Sequence, residues 1–197
     1  MDQVTAFVLP VILVLWLLGE EMDSGSASDI ADAVAQLLQG VDTAQLATCN
    51  EAGRPVPSYA PYLHVAGRGF FILVSELASH TRNMQSRPET GLLIIADEST
   101  SPQLFARERI SFECEAELIP REQVDWQRYV EALEDKFGPV VKLIRDLKDF
   151  HLIALTPLRG IYVRGFGDAW SFEGADLDQF THISSARLAS NSNSDSP

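Results

Sequence analysis

Cysteine is scarce in this chain, which has only Cys49 and Cys114 in 197 residues. Each lies in an apolar run of strand-like composition, without the spacing of a zinc site or the cysteine density of a small disulfide-stabilised domain. We therefore expect two buried, reduced thiols.

Positive charge is also in short supply, with 15 Lys and Arg against 28 Asp and Glu and a formal net charge of -13. A sequence-independent nucleic-acid binder needs Lys and Arg to neutralise phosphates, so we expect no nucleic-acid partner. The sequence contains neither a dinucleotide-binding fingerprint nor a phosphate-binding P-loop. It also shows no nucleophile-base-acid pattern of a hydrolase.

The longest apolar run, 6–18, is interrupted by Pro10 and is too short to be a membrane span. A spanning helix needs about 20 apolar residues, and a secretory signal needs a basic segment, whereas the residues before this run include Asp2 and no Lys or Arg. One interpretation is that translation starts at Met22; the other is a weak anchor. We favour the first, and expect a cytoplasmic protein without stable membrane association.

Hydrophobic periodicity divides the chain into an N-terminal extension at 1–27, one domain at 28–183 and a polar, disordered tail at 184–197. Ser28 and Gly40 are the expected caps of a first helix. Further helices are predicted at 80–86, 121–137 and 140–147. Apolar runs bounded by turns predict strands at 44–49, 56–65, 69–74, 91–96, 109–118, 151–156 and 160–164.

The strand predicted at 109–118 is the clearest, because apolar residues alternate there with polar ones such as Glu113, Glu115 and Glu117. One face is expected in the core and the glutamate row in solvent. We expect the first three strands to form an antiparallel meander. Many short strands with two late helices predict a mainly β (α+β) fold, a small barrel with flanking helices.

Three stretches of this sequence resemble HugZ-type haem-utilisation proteins of the pyridoxamine phosphate oxidase superfamily. They are LATCNEAGRPVPSYAPY at 46–62, LVSELASHTRNM at 73–84 and DESTSPQLFARERISF at 97–112. The resemblance extends from about residue 43 to residue 183 and includes VRGFGDA at 163–169. It implies a six-stranded antiparallel split β-barrel that forms a homodimer and binds haem near the subunit interface.

The resemblance also implies roles for two residues in haem binding. Arg109 stands where the family has an arginine facing the haem pocket, and could pair with a propionate or donate to an iron-bound ligand. The alternative is an exposed arginine paired with Glu113 or Glu115. His182 is the candidate iron ligand, but in the closest register the ligand position falls at Arg187. Either His182 reaches the iron after a local shift, or haem is bound weakly or through another group.

Asp149 matches a family acid that hydrogen-bonds the proximal histidine; the alternative is a loop aspartate that ends the preceding helix. His64 and His151 are expected to be satisfied barrel histidines. Tyr59 and Tyr62 are expected in the core or at the interface.

Related flavin oxidases hold the FMN phosphate with adjacent basic residues at the start of the helix after the third strand. Here that place reads Ser79-His80-Thr81-Arg82, so His80 and Thr81 replace the basic pair and Arg82 is the nearby charge. The start of a helix can also bind phosphate unaided. His80 is alternatively a polar residue of the haem pocket.

Three functions follow from the resemblance. The first is haem binding in iron acquisition, with haem oxygenase-like degradation that needs an external electron donor. The second is an FMN-dependent oxidoreductase on the same fold. The third is a haem carrier without enzymatic activity.

Overall fold

The structure is a computed structural model that describes residues 26–183. The predictions about the apolar run at 6–18, the start at Met22, Arg187 and the tail at 184–197 lie outside the described residues. None of the helices between residues 26 and 183 has the length and apolar composition needed to cross a membrane.

The described residues form four α-helices and nine strands. The helices are α1 (Ala27–Gly40), α2 (Ser79–Ser86), α3 (Val124–Phe137) and α4 (Pro139–Ile144). The strands are β1 (Thr43–Cys49), β2 (Pro55–Pro61), β3 (Leu63–Val65), β4 (Gly69–Ser75), β5 (Glu89–Ile95), β6 (Arg109–Ile119), β7 (Phe150–Gly165), β8 (Asp168–Glu173) and β9 (Phe180–His182).

Helix α1 starts earlier than predicted, with Ser26 rather than Ser28 as its N-cap. The Ser26 hydroxyl accepts from the Asp29 amide at 3.3 Å, and the Asp29 carboxylate accepts from the Ser26 amide at 2.9 Å. This capping box satisfies two amides that the first turn leaves without partners. At the other end Gly40 belongs to the helix, and Val41 is the C-cap.

The strands pair in the order β2-β1-β5-β6-β7-β4-β3, with β8 between β7 and β9. The predicted strand at 56–65 is two strands, separated at Tyr62, whose buried hydroxyl donates to the Leu38 carbonyl at 2.9 Å. Both antiparallel pairings of the predicted meander are present, β2 with β1 and β3 with β4, but its middle strand is interrupted at Tyr62.

Strand β7 is a single strand where two were predicted, at 151–156 and 160–164. Its first part pairs with β4 and its second part with β8, while β6 follows it along most of its length. Strands β8 and β9 were not predicted, so the sheet has nine strands within residues 26–183, against seven predicted from the sequence pattern and six implied by the resemblance. The predicted class, mainly β with flanking helices, is confirmed.

Two apolar clusters hold the fold together. The larger fills the space between the sheet and α1, and the smaller joins α3 and α4 to the other face of β4 and β7. In the smaller cluster Phe71 stacks on Tyr129 with ring centroids 3.7 Å apart. Strand β4 is therefore covered on both faces, which explains its nearly continuous apolar sequence.

Replacement of Gly160 in β7 by alanine should destabilise the fold. A Cβ at Gly160 would lie 2.1 Å from the Ser111 carbonyl oxygen and 2.3 Å from the Phe172 ring. Overpacking of this kind costs about 1–3 kcal/mol. We expect urea unfolding of Gly160→Ala to show a loss of about 2 kcal/mol. Gly40→Ala is the control because nothing lies within 4 Å of its Cβ position. Equal unfolding midpoints for the two variants would contradict the prediction.

Candidate functional site

The three predicted cofactor residues of α2 differ in their environment. His80 is buried, and its Nε2 has no hydrogen-bond partner among the described residues; burial lowers the pKa of its imidazole. Thr81 is fully buried and donates its hydroxyl to the Ser75 carbonyl at 2.7 Å. Arg82 is exposed and donates to the Glu76 carbonyl at 2.6 Å. Of the three, only Arg82 presents a charge at the surface.

Asp149 lies in the turn between α4 and β7 and contacts the turn that leads into α2. Its carboxylate accepts from the Ser75 hydroxyl at 2.9 Å, and its carbonyl accepts from the Glu76 amide at 2.8 Å. The alternative that Asp149 ends the helix is wrong, because α4 ends at Ile144. His151 extends this group, with its Nε2 2.7 Å from the Glu76 carboxylate. We call Ser75, Glu76, Asp149 and His151 the turn cluster.

Arg109 is the first residue of β6 and is half-buried. One of its nitrogens donates to the Arg107 carbonyl at 2.9 Å. Its expected partner Glu113 instead forms an ion pair with Arg159 at 2.7 Å. No ion pair involves Arg109 within residues 26–183, so most of its five donors are available to a ligand.

His182 ends β9, opposite Trp170 of β8. The two rings meet edge to face with centroids 4.9 Å apart. Trp170 donates to the buried Asp168 carboxylate at 2.5 Å, and Arg164 donates to the same carboxylate. Neither ring nitrogen of His182 has a hydrogen-bond partner in the part of the chain that the structure describes. We call Arg109, Arg164, Asp168, Trp170 and His182 the rim cluster.

A cavity of about 350 Å³ adjoins the rim cluster and was not predicted. Arg107, Glu108 and Arg164 are among its lining residues. The Glu108 carboxylate accepts from the Tyr162 hydroxyl at 2.5 Å, and burial raises the pKa of this phenol. Sequence patterns gave no signal for this contact, because the two residues are 54 positions apart.

The rim cluster and the turn cluster lie at opposite ends of β7. Tyr162 of β7 pairs with Trp170, which pairs with His182, and Arg109 pairs with Val163. Asp149 immediately precedes the other end of the strand. At about 3.3 Å per residue, roughly 40 Å of strand separates the two ends. The structure therefore brings Arg109 to the same end as His182, although on the opposite face of the sheet, and it brings Asp149 to α2 but not to His182.

The other residues discussed from the sequence differ in how well their environments match the predictions. Glu113, Glu115 and Glu117 are exposed, as predicted. Tyr62 is in the core, whereas Tyr59 is 66% exposed. His64 was expected to be satisfied, but its buried Nε2 has no partner within the described residues.

The thiol prediction is confirmed for one cysteine. Cys114 is buried, and burial raises the pKa of its thiol to about 12, so the group stays protonated at neutral pH. Cys49 is also a free thiol but is only half-buried.

No group of three or more His, Cys, Asp or Glu within residues 26–183 is arranged to hold a bare metal ion. A haem makes a different demand, since its iron needs only an axial side chain and its propionates need cationic donors. The rim end of β7 provides an imidazole and a guanidinium with unused polar atoms, the imidazole on the inner face of the sheet and the guanidinium on the outer face.

Comparison with known proteins identifies the family of the chain. A family model for pyridoxamine 5'-phosphate oxidase matches residues 30–164. The protein named haem oxygenase HutZ, from Vibrio cholerae serotype O1, is 36% identical over 150 residues, which are 76% of this chain and 85% of HutZ.

Solved structures agree with the sequence comparison. A crystal structure of Vibrio cholerae HutZ, described as a haem storage protein, gives a TM-score of 0.63 at 30% identity, covering 76% of this chain and 99% of that chain. ChuZ of Campylobacter jejuni gives 0.74 at 25% identity, covering 94% and 73%. A haem-binding protein of Mycobacterium smegmatis gives 0.67 at 25% identity, covering 78% and 60%. The chain therefore belongs to the pyridoxamine 5'-phosphate oxidase family, in its HugZ-type haem-utilisation branch, and has the split-barrel fold of that family.

Proposed function

We propose that this protein binds haem at the interface of a homodimer and degrades it oxidatively, with electrons from an external donor. The observation that carries the proposal is that one end of β7 has two groups with unused polar atoms, the His182 imidazole on the inner face of the sheet and the Arg109 guanidinium on the outer face. Relatives also support the proposal, because proteins named for haem oxygenation, haem storage and haem binding share this fold.

Each of these groups suits one part of the ligand. A neutral imidazole from His182 would hold the iron, and the guanidinium of Arg109 would pair with a propionate. Bound haem supplies the oxygen chemistry, so the chain needs to bind it, orient it and limit the access of water. This explains why no catalytic acid-base-nucleophile arrangement is needed.

The role proposed for Asp149 requires two chains. A carboxylate can tune an axial histidine only within hydrogen-bonding distance of its second ring nitrogen. Within one chain Asp149 and His182 flank opposite ends of β7. A two-fold axis can place the turn cluster of one copy beside the rim cluster of the other. We propose that Asp149 acts on the ligand histidine across this interface.

The outer face of the sheet offers a surface for the second copy. Tyr59, Leu93 and Ile161 lie in one row across β2, β1, β5, β6 and β7. Tyr59 is 66% exposed and Ile161 is 43% exposed. Arg109 lies on the same face, two residues along β6 from the position in that row. The polar residues Gln45 and Ser111 separate these apolar groups in the row, as in the mixed surfaces of many interfaces, and a dimer formed here would enclose Arg109 near its interface.

A cytoplasmic location is part of the proposal. Cys49 and Cys114 are both free thiols, and reduced thiols are typical of that compartment.

The second candidate function is FMN-dependent oxidation. The observation that favours it is that the N-cap of α2, Ala78, provides no side-chain hydrogen bond, which leaves early amides of the helix open to a phosphate. The third, haem carriage without degradation, is favoured by the description of HutZ as a storage protein.

Hemin titration of the full chain should give a saturable Soret shift, and His182→Ala should bind at least about tenfold more weakly, which is ~1.4 kcal/mol. Thr181→Ala is the matched control, because Thr181 is an exposed neighbour on the same strand. An unchanged spectrum and affinity in His182→Ala would show that another group holds the iron. Saturable FMN binding without a hemin shift would favour the flavin oxidoreductase instead.

Addition of ascorbate to the hemin complex in air should bleach the Soret band and release iron that a ferrous chelator captures. The reason is that degradation opens the porphyrin, whereas a carrier leaves it intact. Catalase is included to remove free peroxide. A Soret band that persists, with no iron released, would favour the carrier.

The full chain should sediment as a dimer at micromolar concentration, and Ile161→Lys should shift it towards the monomer. The physical reason is that a charge in the outer-face row would be buried without a partner. Val124→Lys is the control, because Val124 is 85% exposed on α3, away from that row. A wild-type monomer would contradict the shared site.

A further inference from the structure

The turn that carries Asp149 is held by an arginine from a distant part of the chain. The guanidinium of Arg121 donates to the Arg145 carbonyl at 2.6 Å, the Leu147 carbonyl at 2.5 Å and the Phe150 carbonyl at 2.9 Å. These three carbonyls stand on both sides of Asp149. Arg121 therefore fixes the backbone from which the carboxylate projects, without touching the carboxylate.

The sheet register places Arg121 beside this turn. Ile119, at the end of β6, pairs with Leu152 of β7, so Arg121 follows the last pair by two residues and lies next to Phe150. The guanidinium also lies over the ring of Trp126, 4.8 Å from its centroid, and Trp126 is buried in the cluster beneath α3. Cation–π contact with an anchored ring restricts where the guanidinium can go.

An arginine suits this set of contacts better than a lysine does. Its planar group offers five N–H donors in a fixed fork, whereas a lysine offers one flexible ammonium. The remaining backbone bonds of the turn are few: the Phe150 amide donates to the Leu147 carbonyl at 3.2 Å, and the Leu147 amide donates to the Ile144 carbonyl at 3.1 Å. Removal of Arg121 would leave Asp149 attached mainly through Ser75 and Glu76.

We propose that Arg121 is the positioning residue for the Asp149 carboxylate. It holds the turn against the start of α2, so that the carboxylate is presented at a fixed place on the surface. This inference rests on the proposed function, because Asp149 acts on the axial ligand only in the haem-binding dimer. Arg121 contacts neither the ligand nor the reacting atoms, so it is not a catalytic residue.

The first test needs no haem. The Glu76 amide donates to the Asp149 carbonyl at 2.8 Å, so its hydrogen exchange reports where the turn lies. We expect exchange of this amide to be at least about tenfold faster in Arg121→Gln, while amides in the centre of β6 and β7 keep their wild-type rates.

Arg128→Gln is the matched control. Arg128 lies over Tyr129 on the same helix, 5.5 Å from the ring centroid, and makes no hydrogen bond to a backbone carbonyl within residues 26–183. It should leave exchange of the Glu76 amide unchanged. Unchanged exchange in Arg121→Gln, or faster exchange throughout the sheet, would overturn the proposal, since the second result indicates general destabilisation.

The second test uses the hemin complex and a double-mutant cycle. Arg121→Gln and Asp149→Asn should each slow ascorbate-driven haem loss by about tenfold, with hemin affinity within about twofold of wild type. Because Arg121 acts through Asp149, the double variant should be no slower than Asp149→Asn alone. Additive losses, or a wild-type rate in Asp149→Asn, would contradict the proposed route. If the wild-type chain neither binds nor degrades hemin, the proposed function fails, while the exchange test still decides whether Arg121 positions the turn.

Discussion

Strand β7 pairs with three other strands, and this constraint determines where every candidate group lies. Its first part holds β4, its second part holds β8, and β6 runs beside most of it. At Gly160, within this strand, the Ser111 carbonyl and the Phe172 ring leave no room for a side chain. A continuous strand of 16 residues cannot bring its own ends together, so the residues near its two ends cannot form one site in one chain.

Charge distribution favours the rim end for an anionic ligand. The chain as a whole is strongly acidic, so a ligand with two propionates needs a local source of positive charge. Arg107 and Arg164 lie near the rim, but each is paired with a carboxylate, Glu98 and Asp168 respectively. Arg109 has no carboxylate partner among the described residues. A propionate could therefore pair with Arg109 without breaking an existing ion pair.

The parts of the structure that follow from local pattern were predictable. Strand β6 alternates because one face is in the core, and β4 is continuously apolar because both faces are covered. The break at Tyr62 was not predictable, because it depends on a carbonyl 24 residues away. The contact of Ser75 with Asp149 joins residues 74 positions apart, and no periodicity records such a distance. Strand β9 is only three residues long, too short to show an alternating pattern.

The candidate site could be predicted as a set of residues but not as an arrangement. The family resemblance named Arg109, Asp149 and His182 together, whereas the sheet register divides them between two ends of a strand. The same geometry also helps to distinguish haem from FMN as the bound cofactor. A phosphate dianion is best held by charged donors, yet burial lowers the pKa of His80 and so favours its neutral form. The Thr81 hydroxyl already donates to the Ser75 carbonyl. One nitrogen of the Arg82 guanidinium donates to the carbonyls of Glu76 and Leu77, which leaves its other donors free among the described residues. The start of α2 thus offers a phosphate its amides and the remaining donors of Arg82, while the rim offers haem an imidazole without a described partner and the remaining donors of Arg109.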